Sequence, residues 1–150
     1  MSMQADAFDL DRFVPYLVSA VASRLSMDLA RVYETRFGIT NAEWRVLAHL
    51  ATNAKVSIRE IYARVAMDKV KVSRAAARLE DAGLIRKQIN QADQRLVELQ
   101  LSARGRALFA EIAPLALTFE EAALSGLTEK ERNCFRDILR KLAEGPTAAR

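Results

Sequence analysis

Hydrophobic residues recur three or four positions apart along most of this 150-residue chain, which is the spacing of amphipathic helices. One such run extends from Phe13 to Phe37, with Gly38 placed to stop the helix. The next begins at Thr40-Asn-Ala-Glu43, which has the spacing of an N-terminal capping box, and ends near Ala54. The first third of the chain is therefore predicted to form one long and one short helix.

The following segment is predicted to contain two helices followed by two strands. Ser57-Ile-Arg-Glu60 is a second capping box, and Asp68 and Gly83 are placed to begin and end another helix. Two short runs with alternating apolar residues follow, 84–90 and 96–101, joined by a polar linker. Helix, turn, helix and a two-stranded wing form a winged helix-turn-helix, whose second helix fits a DNA major groove.

The helix between Asp68 and Gly83 has two faces of different chemistry. Its apolar face, which is expected to pack, consists of Val72, Ala76 and Leu79. Its basic face, which is expected to meet an anion, includes Lys71, Arg74 and Arg78. A solvated helix surface is the alternative interpretation of the basic face.

Two more helices are predicted after the wing, the first capped by Ser102 and the second by the capping box Thr128-Glu-Lys-Glu131. The expected fold is mainly α with a small β-wing. A winged DNA-binding lobe of about residues 40–101 is framed by helical segments of about 8–38 and 102–144. Terminal helices with one apolar face commonly pair with their equivalents in a twofold dimer, so both segments are expected to dimerise.

The net charge of +4 is unevenly distributed along the chain. From Lys55 to Arg106 there are 12 Lys and Arg against 6 Asp and Glu, whereas the remaining residues carry 11 against 13. A basic lobe attached to a nearly neutral remainder is typical of a protein that binds DNA.

Several other classes of protein find no support in the sequence. No apolar run approaches the ~20 residues of a membrane span, and the start of the chain lacks the features of a signal peptide, so a cytoplasmic protein without a membrane partner is expected. The one cysteine, Cys134, and the one histidine, His49, cannot form a Cys/His metal cluster, and neither a metal nor another cofactor is expected. No catalytic residues are assigned, because no nucleophile elbow or phosphate-binding glycine loop is present.

Roughly residues 13 to 143 resemble the MarR family of bacterial transcription regulators. The motifs that carry the resemblance, in chain order, are Trp44-Arg-Val-Leu47, Met67-Asp-Lys-Val-Lys-Val-Ser-Arg74, Leu79-Glu-Asp-Ala-Gly-Leu84, Asp93-Gln-Arg95 and Leu99-Gln-Leu-Ser-Ala-Arg-Gly105. The resemblance implies a homodimer with interlocked terminal helices, bound to double-stranded DNA at a pseudo-palindromic operator. It also implies a small-molecule effector, often a phenolic or other aromatic acid, bound between the lobes.

The resemblance implies DNA contacts at matching positions of the recognition helix and wing, namely Lys69, Lys71, Ser73, Arg74 and Arg95. The two lysines lie where a helix N-terminus already attracts phosphate, while Ser73 and Arg74 lie one turn further, within reach of base edges. This chain departs from many members at Val70 and Lys71, where small hydroxylated residues are common. It also lacks the cysteine that peroxide-sensing members carry near the start of the first long helix.

Four further residues are assigned to the DNA-binding surface. Arg78 is expected to contact phosphate, and Asp93 is expected to hold Arg95 straight for entry into the minor groove, with a plain surface ion pair as the alternative. Arg86 and Lys87 are expected to contact the DNA backbone, unless they only keep an edge strand soluble.

Candidate effector-binding residues lie on the first two helices. They are Tyr16, Arg24, Met27, Arg31, Trp44 and His49. Trp44 is favoured as a core residue and His49 as a structural one, and Cys134 is expected to pack at or near the dimer core.

The leading functional hypothesis is a dimeric, ligand-responsive transcriptional regulator, with repression favoured over activation. The alternative is a constitutively bound or architectural DNA-binding protein that responds to no ligand. An enzyme is disfavoured.

Overall fold

The computed structural model describes residues 8–53, 55–65 and 67–145. After a short 3-10 helix at Leu10–Arg12, the elements in chain order are α1 (Val14–Phe37), α2 (Asn41–Thr52), β1 (Val56–Ser57), α3 (Ile58–Arg64), α4 (Lys69–Asp81), β2 (Ile85–Ile89), β3 (Val97–Leu101), α5 (Ala103–Ala123) and α6 (Glu129–Glu144). The expectation of a mainly α fold with a small β-wing is confirmed. Ala54, where α2 was expected to end, lies outside the described residues.

Local signals place the helix ends as the sequence predicts. In all three capping boxes the hydroxyl oxygen accepts from the glutamate N–H, and the glutamate carboxylate accepts from the backbone N–H of the capping residue. The pairs are Thr40 with Glu43, Ser57 with Glu60, and Thr128 with Glu131. Accepting the backbone hydrogen bond lowers the pKa of Glu60 and of Glu131, because the bond favours the charged carboxylate.

Helix α4 begins and ends at the predicted residues. The Asp68 carboxylate accepts from the Lys71 backbone N–H at 2.9 Å. Gly83 adopts a left-handed φ of 70°, and the N–H of Leu84 donates to the Leu79 carbonyl at 2.8 Å, so the last turn is closed. The apolar face is buried as expected, and Ala75 is buried with it.

The sheet has three antiparallel strands in the order β1-β3-β2, so the expectation of a two-stranded wing was incomplete. Val56 pairs with Leu99 and Ser57 with Glu98. A two-residue strand has no apolar period to detect, and its partner lies far along the chain, so local sequence patterns could not reveal it. β1 nevertheless fixes the start of α3 to the base of the wing.

The core lies where α1, α2, α3, α4, α5 and the sheet meet. Its largest fully buried side chains are Tyr33, Leu47, Ile61, Leu79, Ile85, Leu99, Ile112, Val46 and Val72. Trp44 packs beside this core between two rings, with centroids 5.6 Å from Tyr33 and 5.6 Å from Phe109. Tyr33 donates its hydroxyl hydrogen to the Asn41 side chain at 2.8 Å, and burial raises the pKa of Tyr33 to about 12.

The chain divides into two compact units, Met1–Ala116 and Leu117–Arg150. Within the second, the Arg136 guanidinium binds the Glu120 carboxylate at 3.0 Å, which ties α6 to the end of α5. Large apolar residues of α6 are exposed in the single chain, namely Ile138, Leu139 and Leu142, and Cys134 is exposed among them.

Gly105 in the first turn of α5 packs directly on the backbone that joins α4 to β2. A Cβ atom at this position would lie 2.0 Å from the Leu84 carbonyl oxygen. Nearby, the Ser102 hydroxyl donates to the Gly83 carbonyl at 2.6 Å and accepts from the Gly105 N–H at 3.0 Å. The close approach therefore brings the start of α5 against the end of α4.

We expect Gly105→Ala to lower the free energy of unfolding by about 1 to 3 kcal/mol, because the backbone contact cannot be relieved by a side-chain movement. Gly126→Ala is the matched control, since a Cβ there meets nothing within 4 Å. Urea unfolding followed by circular dichroism measures both. Equal stabilities of the two variants would contradict the assigned packing.

Candidate nucleic-acid interface

The polar face of α4 is exposed to solvent along its whole length. The exposed residues of this face are Lys69, Lys71, Ser73, Arg74 and Arg78. Val72, Ala75, Ala76 and Leu79 are buried on the other side, so the helix presents its cations outward while its apolar residues pack. We call the five exposed residues the basic face of α4.

The cations of the basic face differ in how they are paired. Lys71 lies 3.8 Å from the Asp68 carboxylate, but both side chains are exposed, so this ion pair is weak. Lys69 and Arg74 form no ion pair within the part of the chain that the structure describes. Lys69 and Arg74 are thus available to an external anion.

Arg78 contacts α2 through an ion pair. Its Nη1 lies 3.8 Å from Oε1 of Glu43, whose side chain is only 7% exposed. The other carboxylate oxygen of Glu43 accepts from the Thr40 N–H at 3.1 Å in the capping box. Arg78 therefore links the recognition helix to the start of α2, a contact that the sequence did not reveal.

Tyr62 of α3 is a further residue that sequence reasoning missed. Its hydroxyl lies 2.8 Å from the Ser73 hydroxyl, within hydrogen-bonding distance. The Tyr62 ring is half-buried and packs against the core, so its polar tip reaches the basic face from beneath. Only the presence of an aromatic residue on the first helix of the motif could have drawn attention to it.

At the wing tip, Asp93 and Arg95 form an ion pair, which is compatible both with a role in DNA contact and with the alternative of a plain surface pair. Oδ1 of Asp93 accepts from the Arg95 backbone N–H at 3.1 Å and from its Nε at 3.2 Å, while the Arg95 side chain is 90% exposed. The Asn90 side chain accepts from the N–H groups of Ala92 and Asp93 at 2.8 and 3.0 Å. The turn is thus ordered by its own side chains and projects one arginine.

The two cations of β2 have different surroundings. Arg86 is exposed, whereas Lys87 Nζ lies 2.8 Å from the Glu80 carboxylate on α4. Contact of Lys87 with DNA would compete with this ion pair.

None of the six candidate effector residues lines any of four surface clefts of the described chain. Tyr16, Arg24, Met27 and Arg31 are exposed along α1, and Arg24 lies 4.0 Å from Asp28. None of the six lines a cleft of about 660 Å³ between the α1–α2 turn, α4 and α5, whose charged residues are Glu43, Arg78, Arg104 and Glu111. Trp44 is packed between aromatic rings, in keeping with its interpretation as a core residue.

His49 is half-buried on α2, and its Nε2 has no hydrogen-bond partner among residues 8–53, 55–65 and 67–145. Burial lowers the pKa of His49 and the Arg64 cation lowers it further, while Glu60 acts in the opposite direction. The imidazole is therefore neutral near pH 7 and has an unused nitrogen.

The described parts of the chain contain neither a metal-holding cluster nor a membrane-spanning helix. No group of three or more His, Cys, Asp or Glu residues there is arranged to hold a metal ion. No helix there combines the length and the hydropathy needed to cross a lipid bilayer.

Comparison with known proteins shows where this architecture occurs. Residues 37–96 match the model of the MarR family. The HTH-type transcriptional repressor MdtR of Bacillus subtilis is 33% identical over 107 residues, which cover 71% of this chain and 69% of MdtR.

Solved structures show the same fold over nearly the whole chain. A MarR/EmrR family regulator from Acinetobacter sp. ADP1 superposes with a TM-score of 0.84 at 26% identity, covering 91% of this chain and 96% of that protein. BpsR of Bordetella bronchiseptica, whose DNA binding is regulated by 6-hydroxynicotinic acid, superposes with a TM-score of 0.83 over 93% of this chain and 99% of BpsR. At 24% identity, BpsR shows the fold alone.

The matching family model, the identity to a curated repressor over two thirds of both chains, and the shared winged-helix fold lead to one conclusion: the chain belongs to the MarR family of DNA-binding transcription regulators.

Proposed function

We propose that this protein is a homodimeric transcriptional repressor that binds a pseudo-palindromic DNA operator and responds to a small aromatic acid. The observation that carries the proposal is the basic face of α4, exposed directly opposite a buried apolar stripe. Repression is favoured because MdtR, which is similar over most of this chain, is a transcriptional repressor.

In the proposed complex, α4 lies in the major groove. Lys69 and Lys71 attract phosphates at the helix N-terminus, where the helix dipole adds to their charge. Arg74, which has no carboxylate partner in the described chain, donates to a base edge beside Ser73. Arg95, held by Asp93, enters the adjacent minor groove.

Three more cations contribute contacts to the DNA backbone in this proposal. Arg86 is already exposed, whereas Lys87 and Arg78 are engaged with Glu80 and Glu43. Binding of phosphate by Lys87 or Arg78 therefore requires exchange of one anionic partner for another, which reduces the net gain in affinity.

Dimerisation is supported by apolar surface that one chain leaves uncovered. In the first unit, large hydrophobic residues are exposed along the 3-10 helix and the N-terminal half of α1, namely Phe8, Leu10, Phe13, Val14, Tyr16, Leu17, Val18 and Val21. In the second unit, Ile138, Leu139 and Leu142 of α6 are exposed in the same way. We infer that a second copy of the chain covers these surfaces.

The effector is proposed to be an aromatic carboxylic acid. BpsR, which shares the fold, has its DNA binding regulated by such a compound. The candidate contacts, which share none of the clefts described above, are Arg24 and Arg31 for the carboxylate, and Tyr16, Met27 and the edge of Trp44 for the ring. A further candidate is Nε2 of His49, which has no hydrogen-bond partner in the described chain.

Arg74→Ala is expected to lower affinity for a specific duplex by about 5- to 150-fold and to lower nonspecific affinity less, because bidentate base contacts carry sequence discrimination. Lys71→Ala should lower both affinities alike and reduce the slope of log affinity against log salt by about one. Fluorescence anisotropy with a duplex selected from a random library, and with an unselected duplex, measures both quantities. Lys141→Ala on α6 is the charge-matched control, and equal specific and nonspecific losses for Arg74→Ala would contradict the assigned roles.

Sedimentation equilibrium tests the dimer. The wild-type chain is expected to have twice the mass of one chain, and the double variant Leu17→Asp with Val21→Asp is expected to have the mass of a monomer, because buried unpaired carboxylates oppose association. Ser23→Asp, on another face of α1, should leave the dimer intact. A monomeric wild-type chain, or a double variant that remains dimeric, would rule out this interface.

Thermal-shift and DNA-binding titrations with 6-hydroxynicotinate and 4-hydroxybenzoate test the effector. At least one acid should raise the unfolding temperature and weaken operator binding at the same concentrations, whereas the non-aromatic cyclohexanecarboxylate should do neither. Unchanged operator binding with both acids would support a constitutively bound factor and reject an aromatic-acid-responsive one.

A further inference from the structure

On the exposed side of α4, Val70 and Ser73 form an uncharged patch among the cations, and the Tyr62 hydroxyl lies within hydrogen-bonding distance of Ser73. Val70 lies between Lys69 and Lys71 and is 59% exposed. Ser73 lies one turn further along the same face, and its hydroxyl is 2.8 Å from that of Tyr62. The patch thus combines an apolar group and a hydrogen-bonding group at adjacent positions.

Val70 does not contribute to the packing of α4 against the core. The packing side of α4 consists of Val72, Ala75, Ala76 and Leu79, and Val70 is not part of the hydrophobic core that the described residues form. A β-branched residue is also slightly unfavourable within a helix compared with alanine. Its two methyl groups are therefore available to a partner that approaches the basic face.

The contact with Tyr62 restricts the orientation of the Ser73 hydroxyl. A lone serine hydroxyl rotates freely and can serve a donor or an acceptor equally well. A phenol O–H is a stronger hydrogen-bond donor than an aliphatic O–H, so the favoured arrangement has Tyr62 donating to the Ser73 oxygen. The hydrogen of Ser73 then points outward, and the chain of two bonds strengthens it as a donor.

A donor beside an apolar group matches one base in the major groove. Thymine presents the O4 acceptor next to its 5-methyl group, whereas guanine presents two acceptors and no methyl, and cytosine presents an amino donor. Side chains three residues apart on a helix are roughly 5 to 6 Å apart at their Cβ atoms, which is a spacing that adjacent groups of a base edge can span.

We propose that Val70 and Ser73 make the recognition helix specific for thymine, with Tyr62 as the positioning residue that orients Ser73. Val70 contacts the 5-methyl group, and Ser73 donates to O4. This inference rests on the proposed placement of α4 in the major groove and adds the base that it recognises. An operator half-site accordingly contains a thymine whose methyl group and O4 both contribute to binding.

The test uses the full-length chain and a duplex that it selects from a random library. In one series, each thymidine is replaced in turn by deoxyuridine, which removes only the methyl group. In a second series, each thymidine–deoxyadenosine pair is replaced by a 5-methyldeoxycytidine–deoxyguanosine pair, which keeps the methyl group but replaces the O4 acceptor with an amino donor. At one thymine of each half-site, deoxyuridine should weaken binding about fourfold. The 5-methyldeoxycytidine pair should weaken binding there about tenfold or more.

Matched variants assign the two effects to their side chains. Val70→Ala should abolish the penalty for deoxyuridine, and Val70→Thr, which keeps one methyl group, should retain most of it. Tyr62→Phe keeps the ring and removes the hydroxyl, and it should reduce discrimination against 5-methyldeoxycytidine by the same factor as Ser73→Ala. The double variant with both substitutions should show no further reduction. Tyr33→Phe removes a hydroxyl that binds Asn41 in the protein and should leave base discrimination unchanged.

If the wild-type protein selects no sequence from the random library, the proposed function is rejected. Enrichment of a sequence in which no thymine responds to Val70→Ala and Tyr62→Phe would overturn the thymine inference and leave sequence-specific DNA binding in place.

Discussion

The packing of α4 on α2 and the core determines which side of the recognition helix faces outward. Burying a valine or leucine side chain stabilises a fold by about 1.5 to 3 kcal/mol, and both Val72 and Leu79 are almost fully buried. Rotation of α4 about its axis would expose these residues and bury Lys71 or Arg74 without partners, which costs far more than burial of a neutral group. The orientation of the basic face is thus a consequence of hydrophobic burial and of the cost of burying charge.

The surrounding elements preserve that orientation. β1 connects the start of α3 to the central strand β3, and the backbone contact between Gly105 and Leu84 fixes the beginning of α5 against the end of α4. The wing therefore projects from a rigid base, and its tip is ordered by Asn90 and Asp93. Apolar packing and backbone contacts position the helix and the wing, so Lys69 and Arg74, which have no ion pair in the described chain, stay available for a ligand.

Sequence analysis predicted the features that depend on neighbouring residues. The capping boxes and the stop at Gly83 act within one turn of a helix, and the apolar stripe of α4 repeats with the helical period, so both could be recognised locally. Pairing of Val56 with Leu99, the contact of Arg78 with Glu43 and the bond between Tyr62 and Ser73 join separate elements and leave no periodic signal. The burial of Ile89 could not be predicted from local sequence either. Ile89 continues the apolar alternation of its strand, yet it is 65% exposed because only the Ile85 end of β2 lies against the core. The roles of individual cations in DNA contact, and the effector residues, stay predictions.

Acetylation of the lysine side chains, quantified by mass spectrometry with and without saturating operator duplex, tests the central claim most directly. Lys69 and Lys71 on the basic face should become several-fold less reactive in the complex, while Lys130 and Lys141 on α6 should react equally in both states. If Lys69 and Lys71 react at the same rate in free and bound protein, then α4 does not lie against the duplex and the account is contradicted.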